Sequence, residues 1–308
     1  GLAPNLARRE PPSDPRRVRY VDPVNTRGGL TLTLMLTACS PERAPTPPAR
    51  LAPLSARAAD ELVLDVSARG DVLLGRVLPV PAQSDADRTL RVRMVTSNGQ
   101  RRWGFGDTPV IEARFVPRGE ALLVITTTHE LVRLDGPEAA PRVIDQHVFG
   151  PLSLDALGRA AVYTRGEMPE LQVVRADLAT GETRALAPSL VPAWCPTLAG
   201  DGREVITVAS PDGTPALWRI RPDAPPTRWD LPADTALPTG PSAPVVFGDM
   251  LVYESDGALH ALGFDGTRRR SLPGVGLPVL TVGSPALLAH DARHQPVTLL
   301  PRDLDAPR

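Results

Sequence analysis

The sequence predicts an all-β chain, and three observations carry that prediction. The 308 residues include 36 Pro and 25 Gly, with aromatics at only 4%. β-Branched residues are spread along short apolar runs, as many short strands joined by turns require. A unit of strand, Gly turn and stronger strand recurs at spacings of roughly 35 to 49 residues, the range of four-stranded propeller blades. The fold class that follows is a β-propeller of six four-stranded blades, preceded by a signal segment and a flexible tether.

The repeats begin with Arg69-Gly70-Asp71-Val72-Leu73-Leu74 and Arg118-Gly119-Glu120-Ala121-Leu122-Leu123. Leu157-Gly158-Arg159-Ala160-Ala161-Val162 and Asp201-Gly202-Arg203-Glu204-Val205-Ile206 follow. Phe247-Gly248-Asp249-Met250-Leu251-Val252 is the fifth, and Gly283-Ser284-Pro285-Ala286-Leu287-Leu288 is the last and most degenerate. Gly at the turn permits positive φ, and the alternation after it turns one face into an inter-sheet core. Asn98-Gly99, Asp135-Gly136, Asp212-Gly213, Asp256-Gly257 and Asp265-Gly266 are hairpin signals beside apolar runs. The sixth repeat runs out near Leu300. An open outer edge invites aggregation, so the sequence predicts that Leu51–Leu54 or Leu62–Val66 completes the final sheet.

Ahead of the repeats, residues 29–38 form an apolar run of about ten residues, too short to span a bilayer. Arg27 flanks it, as in the core of an export signal. The run ends in Leu36-Thr37-Ala38-Cys39. This resembles the lipobox of bacterial lipoproteins, in which the cysteine becomes the acylated first residue. The alternative is a strand of alternating Leu and Thr that ends in Cys. By the resemblance, Cys39 is the lipidation site and the chain is exported to the periplasmic side of the envelope. Ser40, being other than Asp, implies the outer membrane. Residues 1–38 then comprise an upstream extension and the signal, with a compact signal starting at Val24. Residues 39–59, rich in Pro and Ala, are the tether, and 60–308 the propeller.

Pro192-Ala193-Trp194-Cys195-Pro196, followed by Asp201-Gly202-Arg203-Glu204-Val205-Ile206, resembles the repeat of TolB-like, WD40-like propellers. Glu170–Leu186 is similar to the strand–turn–strand that ends such a blade. Cys195 stands where Ser is usual, and four residues separate Pro196 from Asp201. The resemblance implies protein contact through loops at one mouth of the ring. The partners it suggests are envelope proteins or a peptidoglycan-associated partner, with the membrane reached through the lipid on Cys39.

Charge excludes one class. Lys+Arg number 34 against 35 Asp+Glu, a formal net charge of -1, and every cation is Arg. A near-neutral balance leaves no field to gather a nucleic acid, and the arginines fit a GC-rich coding bias. No Gly-x-Ser-x-Gly elbow is present, and Gly104-Phe105-Gly106 lacks the helix and Lys of a phosphate loop. Histidines 129, 147, 260, 290 and 294 are scattered. His290 and His294 are four apart, but the pattern there predicts a hairpin with solvated histidines rather than a metal site. Arg268-Arg269-Arg270 reads as a solvated run or an acidic-partner contact. Trp103, Trp194, Trp218 and Trp229 are expected to pack between blades. Cys195 is expected to be a small buried hydrophobe.

No catalytic, cofactor or metal residue is assigned. The function expected is a non-catalytic binding or scaffolding propeller. Its rivals are a hydrolase or lyase with a channel site, for which Val110–Arg114 and 241–245 offer few groups, and a glycan-binding sensor.

Overall fold

The computed structural model describes residues 54, 57–79, 89–96, 98–99, 101–104, 108–117, 120–136, 139–199, 202–239, 242–280 and 286–305, with backbone only at 101–104. Cys39, the segment expected to be a signal and most of the expected tether lie outside them.

All but one of the elements are strands, and almost all pair antiparallel with their sequence neighbour. The first meander is β1 (Glu61–Val66), β2 (Val72–Leu78), β3 (Thr89–Val95) and β4 (Arg101–Gly104). The second is β5 (Val110–Phe115), β6 (Leu122–Thr126), β7 (Glu130–Leu134) and β8 (Arg142–Gln146). A single bridge, Leu90 to Val110, joins these two into one eight-stranded sheet. Next come β9 (Val148–Leu154), β10 (Ala160–Arg165), β11 (Gln172–Asp177) and β12 (Thr183–Ala185). The fourth meander is β13 (Ala193–Ala199), β14 (Glu204–Ala209), β15 (Ala216–Arg221) and β16 (Ala224–Arg228). The fifth is β17 (Val245–Phe247), β18 (Met250–Ser255), β19 (Ala258–Gly263) and β20 (Arg269–Pro273). The last sheet has three strands, β21 (Val275–Leu280), β22 (Leu287–Asp291) and β23 (Pro296–Leu299), and a four-residue helix, α1 (Pro301–Leu304), follows it.

The arrangement is all-β and propeller-like, but it differs from six separate four-stranded sheets. Hydrogen bonding defines five sheets: one of eight strands, three of four and one of three. The merger comes from the Leu90–Val110 bridge. Among the described residues the last sheet has no fourth strand; α1 follows β23 and buries Leu304 in the cluster shared by the fifth and last sheets.

The described Gly turns of the repeat, at Gly70, Gly158, Gly202 and Gly248, lie where a first strand hands over to a second. All five Asx-Gly pairs lie in connections between sequential antiparallel strands, and four of their glycines, Gly99, Gly213, Gly257 and Gly266, take positive φ. Side chains alternate between faces, so each sheet has two apolar sides and must bury both. Apolar clusters accordingly fill successive interfaces. Leu123, Ile125, Val148 and Tyr163 join the second meander to the third, and Val162, Val173, Val205 and Ile220 the third to the fourth. Ile206, Val208, Leu251 and Tyr253 join the fourth to the fifth.

First strands crowd the axis. β1 lies beside β5, β5 beside β9, β9 beside β13, β13 beside β17, β17 beside β21, and β21 again beside β1. The return to β1 overturns one of the two predicted closures, that by Leu62–Val66. Leu62–Val66 belongs to β1, the innermost strand of the first meander, paired to β2. Its Val63 and Val66 meet Val279 and Leu288 of the last sheet face to face. Closure is therefore by packing of two faces, and residues 51–53 lie outside the described ones.

Candidate functional site

The ends of the inner strands and their following turns enclose a cavity of about 540 Å³. Each of β1, β5, β9, β13, β17 and β21 contributes a wall residue, among them Asp65, Arg114, Ser153, Thr197, Val245 and Leu280. The size falls in the range of small-ligand clefts.

Polar groups on this axis are more numerous than the sequence suggests, and most are committed to the neighbouring meander. Glu112 on β5 is 2% exposed. Its Oε1 accepts from Arg114 Nε at 3.0 Å, and its Oε2 accepts from the N–H of Leu152 on β9 at 3.0 Å. A Cβ at Gly150 would lie 2.8 Å from the same Oε2, so the approach needs glycine there. Arg114 donates a second bond to the carbonyl of Leu64 on β1 at 2.8 Å. Ser153 Oγ accepts from the N–H of Leu198 at 3.1 Å, and Glu254 Oε2 from that of Leu277 at 2.8 Å. Gly276 repeats the Gly150 device, its Cβ position lying 2.8 Å from Glu254 Oε2.

Asp65 borders the cavity. Its Oδ2 accepts from the N–H of Phe115 and its Oδ1 from that of Val66, both at 2.8 Å. Desolvation pushes its pKa up to about 6; Arg114 and the two N–H bonds oppose the rise, and the Glu112 charge adds to it. Asp155 lies at the mouth, 3% exposed, and caps its own hairpin by accepting from the N–H groups of Arg159 and Ala160 at 2.6 and 3.1 Å.

His290 closes the circle. It sits on β22, 1% exposed, not in a solvated turn. Nε2 accepts from the N–H of Val63 on β1 at 3.0 Å, so the ring is neutral with its proton on Nδ1, which faces the carbonyl of Leu277 at 3.4 Å. Burial lowers its pKa to about 4; the Leu277 bond opposes that fall, while Arg57 and His294 reinforce it. His294 is exposed in the hairpin. The expected solvated pair is thus half right, and the misread member is the one a strand register carries inward.

The remaining candidates divide similarly. Trp229 and Trp194 pack in the core between the fourth and fifth meanders, and Trp218 packs between the third and fourth. Arg219 stacks its guanidinium over Trp229 at 4.2 Å. The Trp103 side chain is not among those described. Cys195 is buried at a bulge with φ 51, and desolvation pushes its thiol up to about 12, the Glu112 charge adding to the rise. That is the environment of an unreactive thiol. The Arg268–Arg270 run is paired within the chain. Arg268 meets Asp249, Arg269 reaches Asp234 at 2.8 Å, and Arg270 donates to the Asp305 carbonyl at 2.7 Å. His129 lies tilted against Phe149, ring centroids 4.2 Å apart, and His260 stacks with Tyr253. Among the described residues no three His, Cys, Asp or Glu side chains cluster with metal-site geometry.

No protein-family profile matches the chain, and no curated protein does. Solved structures similar to it include an oligogalacturonate lyase in complex with manganese, at 15% identity over 77% of this chain and 77% of that one, TM-score 0.50. TolB from Acinetobacter baumannii is 13% identical over 74% of this chain, TM-score 0.48, and the chain spans 63% of its length. A nidogen/laminin complex gives 15% identity over 80% and 95% of the two chains, TM-score 0.48. At such identities, likeness to the lyase is a likeness of fold.

Proposed function

We propose that the protein is a non-catalytic binding propeller, held at the periplasmic face of the outer membrane by acyl chains on Cys39. It offers the turns around its channel to an envelope protein or a peptidoglycan-associated partner. In this reading the eight-stranded sheet counts as two blades, since one bridge links its halves, and the ring has six. The observation that carries the reading is the commitment of Glu112, Ser153, Glu254 and His290 to backbone N–H groups of neighbouring meanders. A side chain fixed in that way stiffens a frame and is withheld from substrate. Rigid frames that display many loops suit recognition.

The test is a crosslinked pull-down of the tagged protein from its native envelope, with the mature N-terminal peptide weighed in the same run. A partner recovered in near-equal amount, with an acylated Cys39 as first residue, supports both halves of the reading. A chain that still carries residues 29–38 unmodified defeats the anchor.

Asp65 favours a second reading, a channel-site lyase or hydrolase, in which its bonds from the Phe115 and Val66 N–H groups orient the carboxyl and a remaining lone pair meets the substrate. It is an acid at the cavity wall whose proton affinity lies near the working range of a general base. Turnover of oligogalacturonate with added manganese, abolished in Asp65→Asn, establishes that reading; no turnover removes this substrate.

A further inference from the structure

Away from the channel, on the outer strands of the third and fourth meanders, a second cleft of about 460 Å³ is lined by Arg175, Arg184, Arg203 and Arg221, and by no carboxylate. Its floor includes the buried side chains of Val205 and Ile220. Two features set it apart from ordinary arginine-rich surface.

First, Arg175 on β11 and Arg184 on β12 are direct cross-strand partners. Like charges directly opposite one another destabilise a sheet. Arg184 forms no hydrogen bond or ion pair with any described residue, so nothing relieves the pair from its side. Asp177, two residues along β11 from Arg175, caps its own turn, accepting from Ala179 and Thr180 N–H at 2.9 Å each, and offsets part of the Arg175 charge without forming an ion pair with it.

Second, two of the cations, Arg175 and Arg221, are held in place. Arg175, half-buried, donates to the carbonyl of Gly202 on the neighbouring meander at 2.6 Å. That bond fixes the guanidinium without cancelling its charge. Arg221 reaches Glu204 at 3.3 Å, but Arg219 shares the same carboxylate oxygen at 3.8 Å, which leaves positive charge in excess.

We infer that this cleft binds a phosphate-bearing ligand, with the anion between Arg175 and Arg184 and the less polar part of the molecule on Val205 and Ile220. Guanidinium forks match phosphate oxygens in pairs, and a tetrahedral dianion can accept from several forks at once. A volume of about 460 Å³ suits one small ligand or one lipid headgroup. The cross-strand repulsion that weakens the empty sheet is cancelled when the anion is bound, which is how a destabilising pair is kept at a site.

The experiment uses the full chain and its Arg184→Glu variant. Pyrophosphate is titrated by calorimetry at low ionic strength. Binding to phosphatidylglycerol vesicles is measured against phosphatidylcholine vesicles, where the anchor contributes equally to both, and a poly-glutamate peptide is a third probe. Arg184→Glu places an opposite charge across from Arg175, so the unliganded variant should melt at the same temperature or higher. Any loss of binding is then not misfolding. Saturable pyrophosphate binding that weakens at least tenfold in the variant supports a soluble phosphate ligand. A preference for phosphatidylglycerol that the variant loses, without pyrophosphate binding, supports a lipid headgroup. Binding of poly-glutamate alone, no binding of any probe, or equal binding by both proteins overturns the inference.

Discussion

Glu112 shows what one buried carboxylate does in a ring of sheets. It neutralises Arg114 and accepts from Leu152, so its loss leaves a guanidinium buried with only the Leu64 carbonyl and an N–H with no acceptor. Breaking a buried pair from one side costs about 3–5 kcal/mol. Urea denaturation of Glu112→Ala should show a loss of that order. Asp65 and His290 make opposing contributions to pH dependence. Asp65 has its pKa raised from 3.8 to about 6, so the folded chain retains a proton across that window that the unfolded chain has released, and stability falls as pH rises through it. His290 has its pKa lowered from 6.5 to about 4, so its contribution is complete above 6.5 and is lost as pH falls toward 4. The two slopes offset each other in the parent protein. Asp65→Asn should therefore gain stability with rising pH between 4 and 6.5, and His290→Gln should lose it; melting curves in that range that are parallel for both variants contradict the assignment. Neither role was legible in the sequence. Asp65, Glu112 and His290 bond to backbone N–H groups 50, 40 and 227 residues away, and a backbone donor leaves no mark in sequence.

Strands and turns were far more legible, because their signals are local. Alternation and Gly turns placed the hairpins, and the five Asx-Gly pairs fell in them; at four of the five, positive φ restricts residue choice at the turn itself. What local signals could not supply was the joining of sheets. The Leu90–Val110 bridge and the packing of α1 after β23 depend on where meanders meet. The Arg175–Arg184 apposition depends on the register of β11 against β12, which turn length and packing decide together. Turns also differ in what surrounds them. Gly158 has φ 67, and a Cβ there would sit 2.6 Å from the Pro117 carbonyl oxygen of the adjacent meander; Gly213, at φ 83, has open space. Gly213→Ala should cost only the backbone term, about 1 kcal/mol, while Gly158→Ala adds a backbone clash and should cost about 2–4 kcal/mol. Equal melting temperatures for the two variants would show that the meander contact at Gly158 is slack.

At the scale of the molecule, first and last sheets meet through Val63, Val66, Val279 and Leu288, with the His290–Val63 bond beside them. Arg57 strengthens the seam, donating to Gln295 at 2.6 Å and to the His294 carbonyl at 3.3 Å. Removing every residue before Ser67 takes away β1, removes Val63 and Val66 from the cluster that holds Val279 and Leu288, and opens the axis between β21 and β5. Such a chain should show no cooperative melt by circular dichroism; a sharp transition near that of the parent would mean that the remaining sheets hold without their seam.

The bonds from Asp65 to Phe115, Glu112 to Leu152, Ser153 to Leu198 and Glu254 to Leu277 all run the same way, from one meander's side chain to the next one's backbone. His290 to Val63 continues that direction across the chain ends. None of these fasteners depends on which peptide bond happens to be missing. A gene rearranged to begin within residues 229–239, with Asp305 joined to Arg57 through a linker, retains every one of them. The order of synthesis and the order of assembly are thereby separable in this protein.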